Sequence, residues 1–161
     1  MARRLKPNVL RIDYCDLKVQ GSEEKDIYFA KAQELAFKAH GFPANPWNSA
    51  IQYKSAILDR DHFPAVSGFE ATFWFDLAPG SGRSGLQAVV ERPGLWKVAV
   101  NGKPVQARPN DWWLDTAFGV YDIGSAVTDG KNRLTLVARP MSVHNELEPV
   151  HILDPLVQFL L

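Results

Sequence analysis

Residues 69–77 read FEATFWFDL, and apolar and polar side chains alternate there from end to end. Phe69, Ala71, Phe73, Phe75 and Leu77 share one parity, while Glu70, Thr72, Trp74 and Asp76 share the other. Successive side chains of an extended chain point to opposite faces, so this is a strand with one face in a core. A helix would scatter the same five apolar residues around its axis. One strand cannot bury such a face alone, so the chain must supply partners in the sheet and an apolar layer opposite.

The rest of the chain supplies them with the same period. In residues 8–19, NVLRIDYCDLKV, Leu10, Ile12 and Tyr14 alternate with Arg11 and Asp13, and Gly21 ends the run. Ile51, Tyr53 and Ile57 alternate with Gln52 and Lys54. Residues 86–91 and 95–100 read as two strands broken by Pro93-Gly94. Asn101-Gly102 then tolerates the positive φ at both central positions that a type I′ hairpin demands. Short strands follow at 112–115, 118–123, 132–138 and about 147–153, with Asp129-Gly130 as a turn. Phe69, Phe73, Phe75, Leu134 and Leu136 are the expected core.

One segment departs from the pattern. Over residues 26–40, Tyr28, Ala32, Leu35, Ala36 and Ala39 recur at helical spacing and form one face. Asp26 is the expected N-cap and Gly41 the expected C′ residue, and Pro43 and Pro46 forbid continuation. Eight or nine short strands with one helix in the N-terminal half, and no regular strand–helix alternation, predict an all-β fold. Its expected form is an antiparallel β-sandwich of jelly-roll type.

A chain of 161 residues suits one domain, here 8–161, with residues 1–7 as a tail that carries Arg3, Arg4 and Lys6. Lys+Arg and Asp+Glu both total 18, so no basic excess favours nucleic acid. The single cysteine, Cys15, excludes a disulfide framework or a thiolate zinc site within one chain and reads as a small core residue. No apolar run reaches the ~18 residues of a membrane span, and no membrane partner is expected. The start, MARRLKPNVL, lacks the apolar region of an intact signal peptide, which leaves the compartment open.

Glycoside hydrolysis needs two carboxylates across one bond, and the spacing of Glu70, Asp76, Glu91, Asp111, Asp115 and Asp122 converges none of them. His40, His62, His144 and His151 share no metal-ligand spacing. The glycine-rich run 81–85 lacks the signature of a phosphate loop. No catalytic residue is therefore expected. The aromatics carry more information, because a sugar offers its C–H face to a flat ring and its hydroxyls to nearby polar groups. Trp112 and Trp113 with Asn110 and Asp115 have that composition, as does Trp47 with Asn45 and Asn48. Neighbours on a strand point to opposite faces, so one of Trp112 and Trp113 must leave the core. Equally, each tryptophan could pack the core or seal an end of the sandwich.

The runs ERPGLWKVAVNGKPV (91–105), DWWLD (111–115), FGVYDIG (118–124) and DGKNRLTLVA (129–138) resemble the sugar-binding-like sandwich of family 2 type glycoside hydrolases. The segments 9–19, 39–54 and 63–77 are similar to the same module in enzymes like the family 106 α-L-rhamnosidases. The resemblance spans residues 8–153. It implies a galactose-binding-domain-like fold inside a larger polypeptide, with catalysis in another domain. Two roles follow from it. One is recognition of a carbohydrate, metal-free or assisted by calcium, by the tryptophan clusters. The other is a brace packed on a neighbouring catalytic domain, with Trp74 as the docking residue. An independent glycosidase is the least favoured third.

Overall fold

The computed structural model describes residues 7–154. Residues 1–6 of the expected tail at 1–7, and residues 155–161 of the expected domain, lie outside the described residues. The strands are β1 (Asn8–Ile12), β2 (Tyr14–Val19), β3 (Ser22–Tyr28), β4 (Phe69–Leu77), β5 (Gln87–Glu91), β6 (Lys97–Val100), β7 (Lys103–Val105), β8 (Ala107–Trp112), β9 (Phe118–Asp122), β10 (Gly130–Ala138) and β11 (Val150–Asp154). One α-helix, α1 (Phe29–Ala39), lies between β3 and β4. The smaller sheet has the order β1-β11-β5-β9-β8, the larger β3-β2-β4-β10-β6-β7, and every pairing is antiparallel. The chain is an all-β, two-sheet antiparallel sandwich. No helix among the described residues is long and apolar enough to cross a membrane.

β4 lies inside the larger sheet between β2 and β10, with Phe73 opposite Leu134 and Ala71 opposite Leu136. Phe69, Phe73, Phe75, Leu134 and Leu136 are all at most 3% exposed, on the face the alternation assigns to the core. Each large apolar side chain so buried stabilises the fold by ~1.5–3 kcal/mol, and no other element concentrates as many on one strand. Asn101 and Gly102, with φ of 51° and 80°, join β6 to β7 as expected of the hairpin. Cys15 is buried, and burial with the neighbouring Asp16 charge pushes its thiol up to about 12. It is an inert core residue.

The strand expected at 112–115 is absent, since β8 runs Ala107–Trp112 and residues 113–115 bend away; four further details also differ from the sequence reading. First, residues 8–19 form two strands, because the chain leaves the smaller sheet after β1 and enters the larger one as β2. Second, the helix begins at Phe29 and Asp26 does not cap it. Gln20 and Gly21, both at positive φ, turn the chain back so that residues 22–28 pair with β2. Asp26 lies in that edge strand, where its backbone N–H donates to Asp16 Oδ1. Third, the buried helix face is Ala32, Gln33, Ala36 and Phe37, rotated from the expected one, and Tyr28 precedes the helix and is exposed. Fourth, Ile51, Tyr53 and Ile57 lie in no strand. That stretch carries short 3-10 turns, and of the three only Ile57 is buried.

The end of the helix matches the expected glycine. Gly41, at φ 86°, donates to Lys38 O, and Phe42 N donates to Phe37 O, the paired bonds of a Schellman motif. The rings of Phe37 and Phe42 meet edge-on at 5.4 Å across it. This closure turns the chain into the long excursion 42–68, which carries Trp47 to one end of the sandwich.

Candidate functional site

Residues 141–149, MSVHNELEP, alternate in burial although they form no strand. Met141, Val143, Asn145 and Leu147 are buried, and Ser142, His144, Glu146 and Glu148 face outward. Buried amides hold the segment from beneath. Gln33 on α1 donates from Nε2 to Asn145 O and accepts at Oε1 from Leu147 N. Asn145 accepts from Ser142 N at 2.7 Å and donates to Leu95 O at 3.0 Å. Asp61, from the long excursion, accepts from Val143 N at 3.0 Å and from the Ser142 hydroxyl at 3.1 Å. The two fully buried bonds, Gln33 to Asn145 O and Leu147 N to Gln33, involve groups that would each cost ~1–3 kcal/mol if left without a partner, so the segment is held firmly.

Trp47 is placed by its own loop. Asn45 Oδ1 accepts from Trp47 N, and Pro46 stiffens the short turn Pro46–Asn48. The indole N–H donates to Val143 O at 2.7 Å, which fixes the ring edge-down on the locked segment. The ring then lies beside His144, centroids 5.9 Å apart and 29° from parallel.

The opposite wall comes from the turn between β5 and β6. The sequence reading took Pro93-Gly94 as a break between strands; the turn also carries the chain from one sheet to the other. Arg92 stands in the left-handed region, φ 50° and ψ 60°, held by its N–H to Ala117 O at 2.7 Å and by Leu95 N to its own carbonyl at 3.0 Å. Pro93 lies so close over Gly119 that a Cβ there would meet Pro93 Cγ at 2.5 Å. Asp115 shapes the third wall: it accepts from Ala117 N through Oδ1, and its carbonyl accepts from Phe118 N, which sets Thr116 and Ala117 on the rim.

Trp47, His144, Arg92, Glu146, Thr116 and Ala117 line an open cleft of about 620 Å³. Arg92 Nη1 donates to Glu146 Oε1 at 3.0 Å, and its Nε lies 3.7 Å from Glu91 Oε1. Burial holds the Glu91 carboxyl above its ordinary value, against the pull of Arg92 and with repulsion from Glu146 and Asp115. Burial also raises Glu148, with repulsion from Glu91 and Glu146. The Arg92–Glu146 pair is partly solvated and contributes only ~0–1 kcal/mol. A left-handed non-glycine residue costs ~1–3 kcal/mol.

The expected site residues separate in space. Trp47 lines the cleft. Asn45 is buried beneath Trp47 as its cap, and Asn48 is exposed. Asp115 supports the rim. Trp112 is 52% exposed near the end of the smaller sheet, opposite Gly119 in register, and Asn110 is exposed at φ 55° in the irregular part of β8. Trp113 is half-buried over Val89, Val120 and Leu153 on the outer face of that sheet, where it also packs on His151 at 5.2 Å. Neither Trp112 nor Trp113 lines the cleft. Trp74 is 37% exposed, but its indole N–H donates to Asp16 Oδ2 at 2.9 Å and Lys131 Nζ lies 4.6 Å from its ring centre. Among the described residues no group of three or more His, Cys, Asp or Glu side chains is arranged to hold a metal ion.

Sequence reasoning missed Arg92, Glu146, Gln33 and Asn145. The alternation of residues 141–149 was a readable signal for Glu146, since it puts His144 and Glu146 on one outward face. The left-handed Arg92 and the helix-borne Gln33 leave no local signal. No protein-family model matches the chain, and neither a curated protein nor a solved structure matches it.

Proposed function

We propose that this chain is a non-catalytic, carbohydrate-binding module of galactose-binding, jelly-roll type, serving a glycoside hydrolase. The observation that carries the reading is the cleft lined both by the anchored Trp47 ring and by the Arg92–Glu146 pair. A pyranose would lay its C–H face on Trp47, while Arg92 donates to one hydroxyl and Glu146 accepts from its neighbour. The locked segment 142–147 supports this, because a preformed site spends little free energy on ordering when the ligand arrives. Both carboxylates nearest the cleft, Glu91 and Glu146, flank the same guanidinium, which suits gripping a ligand better than acid and base chemistry.

Titration of a glycan panel, read by tryptophan fluorescence, tests the proposal. Millimolar or tighter binding is expected for at least one neutral sugar. Trp47→Ala should lose the binding and Glu146→Gln should weaken it about tenfold or more, the effect of an interaction of ~1.5 kcal/mol or above. α-L-Rhamnosides should remain unhydrolysed. Binding that survives Trp47→Ala, or no binding at millimolar concentration, would overturn the assignment.

A second reading, a brace without a ligand, has its own observation. Ile51, Tyr53, Leu58 and Val66 are 66%, 63%, 42% and 86% exposed along the excursion 42–68. Exposed apolar side chains concentrated on one loop region suit contact with a neighbouring catalytic domain. That role becomes the better account if the glycan titrations fail.

A further inference from the structure

His151 on β11 carries an unmet bond. Its Nδ1 is enclosed and has no hydrogen-bond partner among the described residues. The ring lies 5.2 Å from the centre of the Trp113 ring and 6.5 Å from that of Phe118. In the neutral ring with its proton on Nε2, Nδ1 is a bare lone pair. Protonation turns it into a charged N–H that needs an acceptor and finds none. The attraction of a cation for an indole face is weaker than the cost of a charged N–H so enclosed.

The charges around the ring do not supply the acceptor. Arg11 on β1 is opposite His151 in register, and Asp13 beyond it is taken up by Arg11 at 2.7 Å. β5 presents Val89, β9 presents Val120 and Phe118, and the bend after β8 presents Trp113, all uncharged. Glu91, Asp115 and Asp122 follow along those elements, Glu148 and Asp154 along its own segment, and none bonds to Nδ1. Burial and the Arg11 charge both oppose the imidazolium, and Asp13 only partly offsets them.

Most of the enclosure is rigid, because His151, Val89, Val120 and Phe118 all sit in paired strands. Trp113 does not. It follows the irregular end of β8, in a bend where Leu114 stands at φ 69°. That bend is one hydrogen-bonded unit. Trp113 N donates to Phe118 O at 3.0 Å, Asp115 N to Trp113 O at 2.9 Å and Ala117 N to Asp115 Oδ1 at 2.7 Å. Its other side belongs to the cleft, where Thr116 and Ala117 are part of the lining and Ala117 O accepts from Arg92 N at 2.7 Å.

We propose that His151 is a proton-operated latch on the 113–117 turn: the neutral ring seats Trp113, and the charged ring displaces it and so moves Thr116 and Ala117 at the rim of the cleft. The coupling acts on the shape of the cleft and holds whatever the cleft binds.

NMR on the ligand-free chain, from pH 7 to pH 5, tests the latch. The His151 ring protons should titrate with a midpoint below 6.5. The Trp113 indole signal and the amides of Thr116, Ala117 and Arg92 should shift along the same curve. In His151→Gln those shifts should be lost. His144 also lines the cleft, and any shift it causes survives in that variant and is subtracted. Trp113→Ala leaves His151 in place: its midpoint should rise toward about 6.5, since water then reaches Nδ1, and the rim amides should no longer follow it. A parent midpoint at or above about 6.5, rim amides that do not follow His151, equal rim shifts in the parent and His151→Gln, or a midpoint unchanged in Trp113→Ala would each overturn the proposal. No sugar enters the measurement, so a failure of the latch and a failure of glycan binding are told apart.

Discussion

Two tryptophan clusters with nearly the same composition meet different fates in this sandwich. Trp47 stands beside Asn45 and Asn48, Trp112 and Trp113 beside Asn110 and Asp115, and both stretches lie close to turns. The segment 142–147, on which the Trp47 ring is anchored, is clamped by Gln33 from α1, Asp61 from the long excursion and its own Asn145. The ring is pinned by its own N–H and lines the cleft. Around Trp112 the register of β8 against β9 is irregular, and the ring stands out into solvent. Composition marks both as sugar platforms. What separates them is whether buried hydrogen bonds from distant segments hold the surrounding chain.

If that is the difference, the largest effects come from cutting the clamps. Gln33→Leu keeps the volume of a buried helix position but strands Asn145 O and Leu147 N inside the protein. A loss of about 3 kcal/mol is expected in chemical denaturation, from two buried groups left unpaired. The proposed glycan site should weaken with it, because His144 and Glu146 ride on that segment. Gly119→Ala comes next, since Gly119 sits opposite Trp112 in register and beneath Pro93. The added methyl must push a rigid ring away, at a cost of ~1–3 kcal/mol, and should shift the amide signals of Gly94 and Leu95. A signal change confined to Trp112 would show that the glycine serves the exposed corner instead.

The two regions also differ in the sign of their response to pH. On the cleft side, burial raises Glu91 and Glu148, so the folded state takes up protons more readily than the unfolded chain. Their contribution is fully present below the ordinary carboxylate value and is lost as pH rises through the raised values. On the corner side, burial and the Arg11 charge lower His151, opposed by Asp13, and its Nδ1 is enclosed without a partner beside Trp113. Its contribution is complete above about 6.5 and is lost as pH falls from there. Denaturation at pH 7 and pH 5 should therefore show His151→Gln losing less stability on acidification than the parent. Glu148→Gln should gain at pH 7 and lose that advantage at pH 5. Identical pH slopes for all three proteins would remove the contrast.

The legible parts of the fold were those specified by local pattern. The alternation of Phe69 to Leu77 fixes which face of β4 is buried, Asn101-Gly102 fixes a hairpin, and Gly41 fixes the helix end. The parts that were not legible depend on pairing. Residues 22–28, SEEKDIY, become a strand only because β2 lies beside them, and their charges suit an exposed edge. Ile51 and Tyr53 alternate over too short a stretch, in a loop with no strand to pair with, so the pattern carried no structure. For the site, Trp47 and Asp115 were within reach of composition. Arg92 was not, because it meets Glu146 across 54 residues and no local propensity records the pairing.

The smallest effect is expected at the most conspicuous aromatic. Trp112 is 52% exposed and outside the Trp47 cleft, and the outer face of the smaller sheet is covered by Trp113 and Phe118. Trp112→Ala removes a ring whose surface is largely hydrated already, so stability should change by no more than ~0.5 kcal/mol, the usual range for exposed positions. Under the proposed function, glycan affinity should be unchanged by Trp112→Ala and lost in Trp47→Ala. The pair is informative because both variants delete the same side chain from the same protein, and only the local architecture differs. If Trp112→Ala instead removes sugar binding and Trp47→Ala does not, the exposed corner is the platform. The buried clamps would then serve the stability of the long excursion rather than the shape of a binding site.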